Sequence, residues 1–252
     1  MRLHVLGCYG GQAPGCHSTC LLIDSHMLLD AGSVAAVLSL DAQTRVDQVL
    51  ISHAHLDHVA ALAFLGDNVI TRRREPIEVW STLPVIRQLK RHVFNGSVWP
   101  DFTKIPSGHP ILSFHGMRKG QPQRIGKYQV VAVGAYHTVE ATGYLISDGK
   151  SSILFGGDTG PGEDLWRVAN AAEGLRAIIV EASFPNRLHD LAKASGHLTP
   201  QTLREELTKL RVDVPVYVQH MKPPFIAEIV AELAKLSNPP VTPLKQGKEY
   251  AF

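Results

Sequence analysis

The chain has 252 residues, 44% hydrophobic and 19% charged, a balance that excludes a mainly disordered protein. Its 25 basic and 23 acidic side chains leave a net charge of +2, too even to mark a nucleic-acid or membrane surface. Three cysteines, Cys8, Cys16 and Cys20, form no Cys-x-x-Cys pair and no disulfide framework; they read as reduced structural thiols. The opening apolar run is broken at His4 and is too short for a signal peptide. No stretch reaches the roughly 18 apolar residues of a membrane span. The expectation is a cytoplasmic protein that engages no membrane. The 13 histidines are the one compositional oddity.

In chain order, Leu3–Leu6, Cys20–Ile23 and Met27–Leu29 read as strands separated by Gly, Pro and Asp punctuation. Val49–Ser52 is a short buried strand, Val59–Leu65 an apolar helix and Leu83–Val93 a helix with basic residues on one side. The stretch Phe94–His109 holds Gly96, Pro100, Pro106 and Gly108 and reads as an insertion loop. Ile111–Phe114, Tyr128–Val133, Gly143–Ile146 and Ile153–Phe155 follow as strands. Leu165–Ala172 is a helix, Ala177–Val180 a strand, and Thr199–Leu210 a helix opened by Thr199 and Pro200. Val216–Val218 is a strand, Ile226–Leu236 a helix and Glu249–Phe252 a last strand. Several strands succeed one another without a helix, so one doubly wound parallel sheet does not fit. Two packed mixed sheets with helices outside do, as an α/β architecture. No repeat, low-complexity tract or linker interrupts residues 1–252, which read as a single domain with an insertion near 94–109.

The segment His53-Ala54-His55-Leu56-Asp57-His58 lies between a strand and a helix. His53 and His55, two apart in extended chain, point the same way and can grip one metal. Asp57 and His58 come as the chain turns into the helix and face a neighbouring point, though Asp57 alone would also serve as a helix N-cap. Four such groups can serve two metals. A bridging carboxylate and one histidine for each metal must then come from later strand ends. The chain offers His137 after Tyr128–Val133, Asp158 in the glycine-rich Gly156-Gly157-Asp158-Thr159-Gly160, and His220 after Val216–Val218.

At this point the chain resembles the metallo-β-lactamase superfamily, whose hallmark is the His-x-His-x-Asp-His run. Within it, the chain looks like the class II 3′,5′-cyclic-nucleotide phosphodiesterases. The resemblance rests on HAHLDH (53–58), HVFNGSVWPDF (92–102), GGDTGP (156–161), IIVEASFPN (178–186), SGHLTP (195–200), VQHMKP (218–223) and QGKEYAF (246–252). It implies an αββα sandwich, the metallo-β-lactamase fold, with two divalent metal ions. Zinc is the first choice, with Mn2+ or Fe2+ as alternatives. Carried over, His53, His55 and His137 would hold one ion, Asp57, His58 and His220 the other, and Asp158 would bridge them. A hydroxide shared by the ions would attack phosphorus in a cyclic nucleotide such as cAMP, releasing a 5′-nucleotide. Asp57 would orient or deprotonate it.

His197, before a helix N-terminus, has a family counterpart beside the phosphate. The resemblance assigns it phosphate binding or proton donation to the leaving oxygen. Glu181 either orients His197 or is a strand-end residue bonded to backbone. Asp30 either fixes a ligand histidine or caps a helix near Ser33. Phe94, Asn95, Trp99 and Phe102 either hold the base or pack the insertion onto the body. The loop Gly7–Gly11 lacks the Gly-x-Gly-x-x-Gly spacing and reads as a rim loop near the metals, and Arg72–Arg74 as a solvated loop.

The expected partner is a small cyclic nucleotide, without stable nucleic acid; a homodimer is in keeping with the reading. The alternatives are an endoribonuclease of the tRNA 3′-processing type, a generic hydrolase of the same fold, and a non-catalytic metal or nucleotide binder. The first would need a protruding basic arm.

Overall fold

Alternation of side chains along the strands builds the architecture. In the computed structural model, which describes residues 1–236 and 239–252, strand β1 (Arg2–Gly7) turns Leu3 and Val5 to one side. Strand β2 (Cys20–Ile23) turns Leu21 and Ile23 to that same side, and Cys20 and Leu22 to the other. Every residue of β2 is buried, so both faces of its sheet are covered.

That sheet adds β3 (Met27–Leu29), β4 (Gln48–Leu50), β5 (Ile77–Thr82), β6 (Leu112–Met117) and the C-terminal β14 (Glu249–Ala251), in the order β14-β1-β2-β3-β4-β5-β6. It is antiparallel from β14 to β3 and parallel from β3 to β6. The second sheet contains β7 (Pro122–Ile125), β8 (Tyr128–Gly134), β9 (Thr142–Ser147), β10 (Ser152–Phe155), β11 (Leu175–Glu181), β12 (Val216–Gln219) and β13 (Val241–Pro243). Its order is β13-β12-β11-β10-β9-β8-β7, parallel from β13 to β10 and antiparallel from β10 to β7.

Both sheets contribute to one apolar layer, where Leu3, Val5, Leu21 and Ile23 meet Tyr144, Ile146, Phe155 and Ile179. A second layer covers the outer face of the first sheet with α1 (Val34–Val37), α2 (Leu40–Gln43), α3 (Leu56–Val69) and α4 (Leu83–His92) outside it. A third covers the second sheet with α5 (Asp164–Ala171), α7 (Pro200–Leu207) and α8 (Ile226–Leu233), while α6 (His189–Ala194) lies along a cleft beside His197. The result is the expected αββα sandwich of two mixed sheets. Among the described residues, no helix is long and apolar enough to cross a membrane.

Local sequence and observed elements differ where packing outweighs pattern. β7 and β13 carry no strand signal in the sequence because they are short edge strands, mostly exposed or half-buried, each holding a proline. β5 was missed although Ile77, Val79 and Ser81 are buried in alternation. Helix α3 starts at Leu56, three residues earlier than expected, and continues to Val69 because Leu65 and Val69 still reach the core. Helix α7 ends at Leu207, short of Leu210; its N-terminus is closed as expected, with Thr199 and Thr202 forming a capping box.

Residues 94–109 contain no helix or strand. Phe94 and Phe102 are buried in the outer layer of the first sheet, and Trp99 packs edge-on against Phe64 at 5.3 Å. Asn95 Oδ1 accepts the backbone N–H groups of Ser97 and Val98. Of the two readings of these side chains, packing is the one seen for Phe94 and Phe102, whose burial leaves a base no open face; Trp99 is half-buried and Asn95 exposed.

Candidate metal centre

Parallel strands β3, β4, β10, β11 and β12 end on one rim of the sandwich, and the residues that follow them meet there. After β4, Ile51 O accepts the hydroxyl of buried Tyr144 at 2.6 Å and Ser52 O accepts Thr142 N–H at 3.0 Å. Those two bonds tie the two sheets together where the histidine segment begins. His55 is the N-cap of α3, with extended φ and ψ, so His53 and His55 precede the helix while Asp57 and His58 lie in its first turn. Asp57 is therefore not the cap; its carboxylate is turned to the rim, with Oδ2 3.3 Å from His220 Nε2.

Each buried histidine is oriented by an oxygen on one ring nitrogen. Asp30 Oδ2 lies 2.7 Å from His58 Nδ1. Ser52 Oγ donates to Asp30 Oδ2 at 2.8 Å and lies 3.0 Å from His53 Nδ1. On the other sheet, Ser183 Oγ donates to Glu181 Oε2 at 2.5 Å and lies 3.0 Å from His220 Nδ1. His137 Nδ1 lies 3.0 Å from Gly196 O. With those Nδ1 positions carrying the proton, His53, His58, His137 and His220 present bare Nε2 atoms to the centre. Asp30 is thus a histidine-orienting residue and not the cap of α1, whose N-cap is Ser33.

The bare atoms fall into groups whose members lie within 4.8 Å of one another: His53, His55 and His137; Asp57, His58 and His220; and His53, His58 and Asp158 between them. All seven candidates meet at one place, with Asp158 between the two triads. His58 Nε2 and His220 Nε2 approach to 3.1 Å, and His53 Nε2 and His55 Nδ1 to 3.0 Å. Lone pairs facing each other at such distances repel unless a cation lies between them. Asp158 Oδ1 is buried without a hydrogen-bond partner, while Oδ2 lies 3.1 Å from His220 Nε2 and 3.2 Å from His58 Nε2. Imidazole and carboxylate donors with an orphaned buried oxygen fit divalent transition-metal ions. Cys8 and Cys20 are buried elsewhere in the core, their thiols pushed up to about 12 by burial, and all three cysteines are free.

The electrostatics agree. Burial drives His53, His55 and His137 down, toward the neutral form that binds metal. Burial opposes charge on Asp158 and Asp57 too, but the surrounding histidines outweigh it and hold both carboxyls ionised. His58 is raised because Asp158 and Asp30 overcome its burial. The buried anions thus draw positive charge to this point.

His197 stands beside the cluster, in reach of His137 and Asp158. Its Nδ1 lies 2.7 Å from Glu181 Oε1, and that carboxylate overrides burial to raise the imidazole. Glu181 also accepts backbone N–H groups from Thr159 and Leu198. Both readings of Glu181 hold together: it orients His197 and it is bonded to backbone.

Three contributors escaped the sequence reading. Ser52 and Ser183 have no distinctive spacing; Ser183 lies inside the Ser-Phe-Pro-Asn segment. Lys222 Nζ lies 3.7 Å from Asp57 Oδ2. Asp30 (φ 57°) and His220 (φ 61°) also sit in the left-handed region, at order 1–3 kcal/mol each, held there by their packed surroundings. The rim-loop reading of Gly7–Gly11 holds: Cys8 O accepts His220 N–H at 2.7 Å and Gly10 N–H donates to Met221 O.

Residues 26–221 match the family model of the beta-lactamase superfamily domain. The chain belongs to the metallo-β-lactamase superfamily. Within this superfamily it is 29% identical over 270 residues to the 3′,5′-cyclic-nucleotide phosphodiesterase of Aliivibrio fischeri, covering 86% of this chain and 80% of that protein. It is 28% identical to the probable 3′,5′-cyclic-nucleotide phosphodiesterase of Yersinia pestis over 71% of this chain, a match that spans only 58% of that protein. The unliganded structure of yeast PDE1 superposes with a TM-score of 0.80 at 19% identity, covering 98% of each chain. At that identity the superposition speaks for the fold alone. Superfamily and donor set together fit a cluster that could hold metal ions.

Proposed function

We propose that this protein hydrolyses 3′,5′-cyclic mononucleotides to 5′-nucleotides. The observation that carries the reading is the pairing of the two ligand triads around Asp158 with His197, held by Glu181, at their side. The curated relatives, named for this activity, support the substrate class. His53, His55 and His137 would hold one ion, Asp57, His58 and His220 a second, and Asp158 would lie between; zinc is the first choice, with manganese or iron as alternatives.

Divalent ions held there would supply Lewis acidity to phosphate oxygens and lower the pKa of water from 15.7 toward about 7. The remaining work falls to side chains. Asp57 orients the attacking water and Lys222 beside it attracts the anionic substrate. His197 holds a proton through Glu181 and gives it to the departing 3′-oxygen as the phosphorus–O3′ bond breaks. A generic lactone or thioester hydrolase would use the metal cluster but leave the His197–Glu181 pair without a task. A tRNA 3′-processing nuclease would need a basic arm. The 94–109 insertion instead lies folded on the body through Phe94 and Phe102.

The test is a substrate panel. Zinc- or manganese-loaded protein is incubated with cAMP, cGMP, cCMP, cUMP, a tRNA precursor and a lactone, and products are separated by chromatography. Release of 5′-nucleotides is expected. Turnover of the tRNA precursor or the lactone alone would overturn the reading.

A further inference from the structure

With Phe94 and Phe102 buried, the rim of the centre offers a different ring. Tyr136 directly precedes His137 and is 66% exposed. Its backbone is pinned on both sides: its N–H donates to Thr159 Oγ1 at 2.9 Å and its carbonyl accepts Gly160 N–H at 2.7 Å. The ring packs over Gly160, where an added Cβ would sit 3.2 Å from Tyr136 Cδ1. The turn after Asp158 thus supports the ring, which otherwise stands in water.

Tyr136, Gly160, Pro161, Lys193 and His197 line an open cleft of about 760 Å³ against α6. His197 belongs to this cleft and to the cluster with His137 and Asp158. A second cleft opens on the His55 side, between Ala54, Gln88, His92 and Val139, but holds only about 260 Å³. The larger cleft is the one that His197 itself lines, so a 3′-oxygen placed at His197 would leave the rest of the molecule in that cleft, past Tyr136.

Resting on the phosphodiesterase reading, we propose that Tyr136 is the stacking platform for the nucleobase, with the ribose and base held between it and α6. A pinned tyrosine offers a large π-face and loses little freedom on stacking. Stacking is tolerant of base identity, so the ring selects for an aromatic base and does not choose among bases.

Steady-state kinetics on Tyr136→Ala, Tyr136→Phe and Tyr136→Trp test this. KM of Tyr136→Ala for each cyclic nucleotide is expected to rise about tenfold, more than kcat falls, while the Phe and Trp variants stay near wild type. KM for ribose 3′,5′-cyclic phosphate, which has no base, should not respond. An unchanged KM for cyclic nucleotides, or an equal loss on the base-free substrate with loss of bound metal, would overturn the proposal. Binding of cAMP, measured on the His197→Ala background, separates the two readings. Absent turnover by wild type with Tyr136-dependent binding would sink the phosphodiesterase and spare the platform. Turnover with Tyr136-independent binding would do the reverse.

Discussion

Asp30 and Glu181 do the same job from opposite sheets: each fully buried carboxylate orients one histidine directly and a second through a serine. Asp30 holds His58, and His53 through Ser52. Glu181 holds His197, and His220 through Ser183. Ring orientation at the centre is thus set by two carboxylates, one just after β3 and one closing β11. Ser52→Ala and Ser183→Ala should each lower metal affinity by about 10- to 100-fold, read by competition with a chromophoric chelator. Affinity equal to wild type in both would show that the serines do not fix the rings.

Asp158 and His197 should separate metal binding from proton transfer. Asp158→Ala removes the carboxylate shared by the two triads and should lose bound metal and activity together. His197→Ala should retain metal, by elemental analysis, while kcat falls by about 10² to 10⁴. Loss of metal in His197→Ala would refute its assignment as proton donor.

Gly196 holds His137 through its carbonyl, 3.0 Å from Nδ1, and its lack of a side chain permits the close approach. Its φ is +67°, and an added Cβ would lie 3.0 Å from His137 Cα. Gly196→Ala should destabilise the fold by about 1–2 kcal/mol through the left-handed backbone and weaken metal binding as well. Chemical denaturation and metal titration on the same sample check both effects.

Phe102 packs residues 94–109 onto the outer layer of the first sheet. Phe102→Ala should cost about 3–5 kcal/mol of stability by opening a cavity against the first sheet. Below its melting transition, its KM for cyclic nucleotides should match wild type. A raised KM in folded protein would return the base to the insertion.

Asp24 contributes a pH-dependent part of stability away from the centre. Burial opposes its charge, but Lys127, the Tyr128 hydroxyl and Arg2 N–H outweigh it and hold the carboxyl down at about 2. The unfolded value is about 3.9, so between those values the unfolded chain binds more protons and stability rises with pH. The contribution is complete above about pH 4 and is lost as pH falls toward 2. With Lys127 largely in solvent, it amounts to about 1 kcal/mol. Asp24→Asn should lose this slope, seen as wild-type and variant urea midpoints converging between pH 5 and pH 2.5.

Sequence alone determined the layered sandwich and seven converging donors. The strands are buried on both faces, as in Cys20–Ile23, and the donors are chemically costly residues at strand ends, where a side chain has no packing reason to be. His137, Asp158 and His220 were legible for that reason. Tertiary structure decided what depends on chain segments far apart. His58 and His220 are 162 residues apart and meet at 3.1 Å, which no local pattern encodes. Ser52 and Ser183 became significant only when Asp30 and Glu181 came within hydrogen-bond reach of them. Phe94 is buried and Tyr136 exposed, which no local pattern distinguishes, because exposure is a property of the folded surface. An aromatic in a loop reads alike whether it faces the core or a cleft; Phe94 packs against the first sheet, and Tyr136 rests on Gly160 at the open cleft.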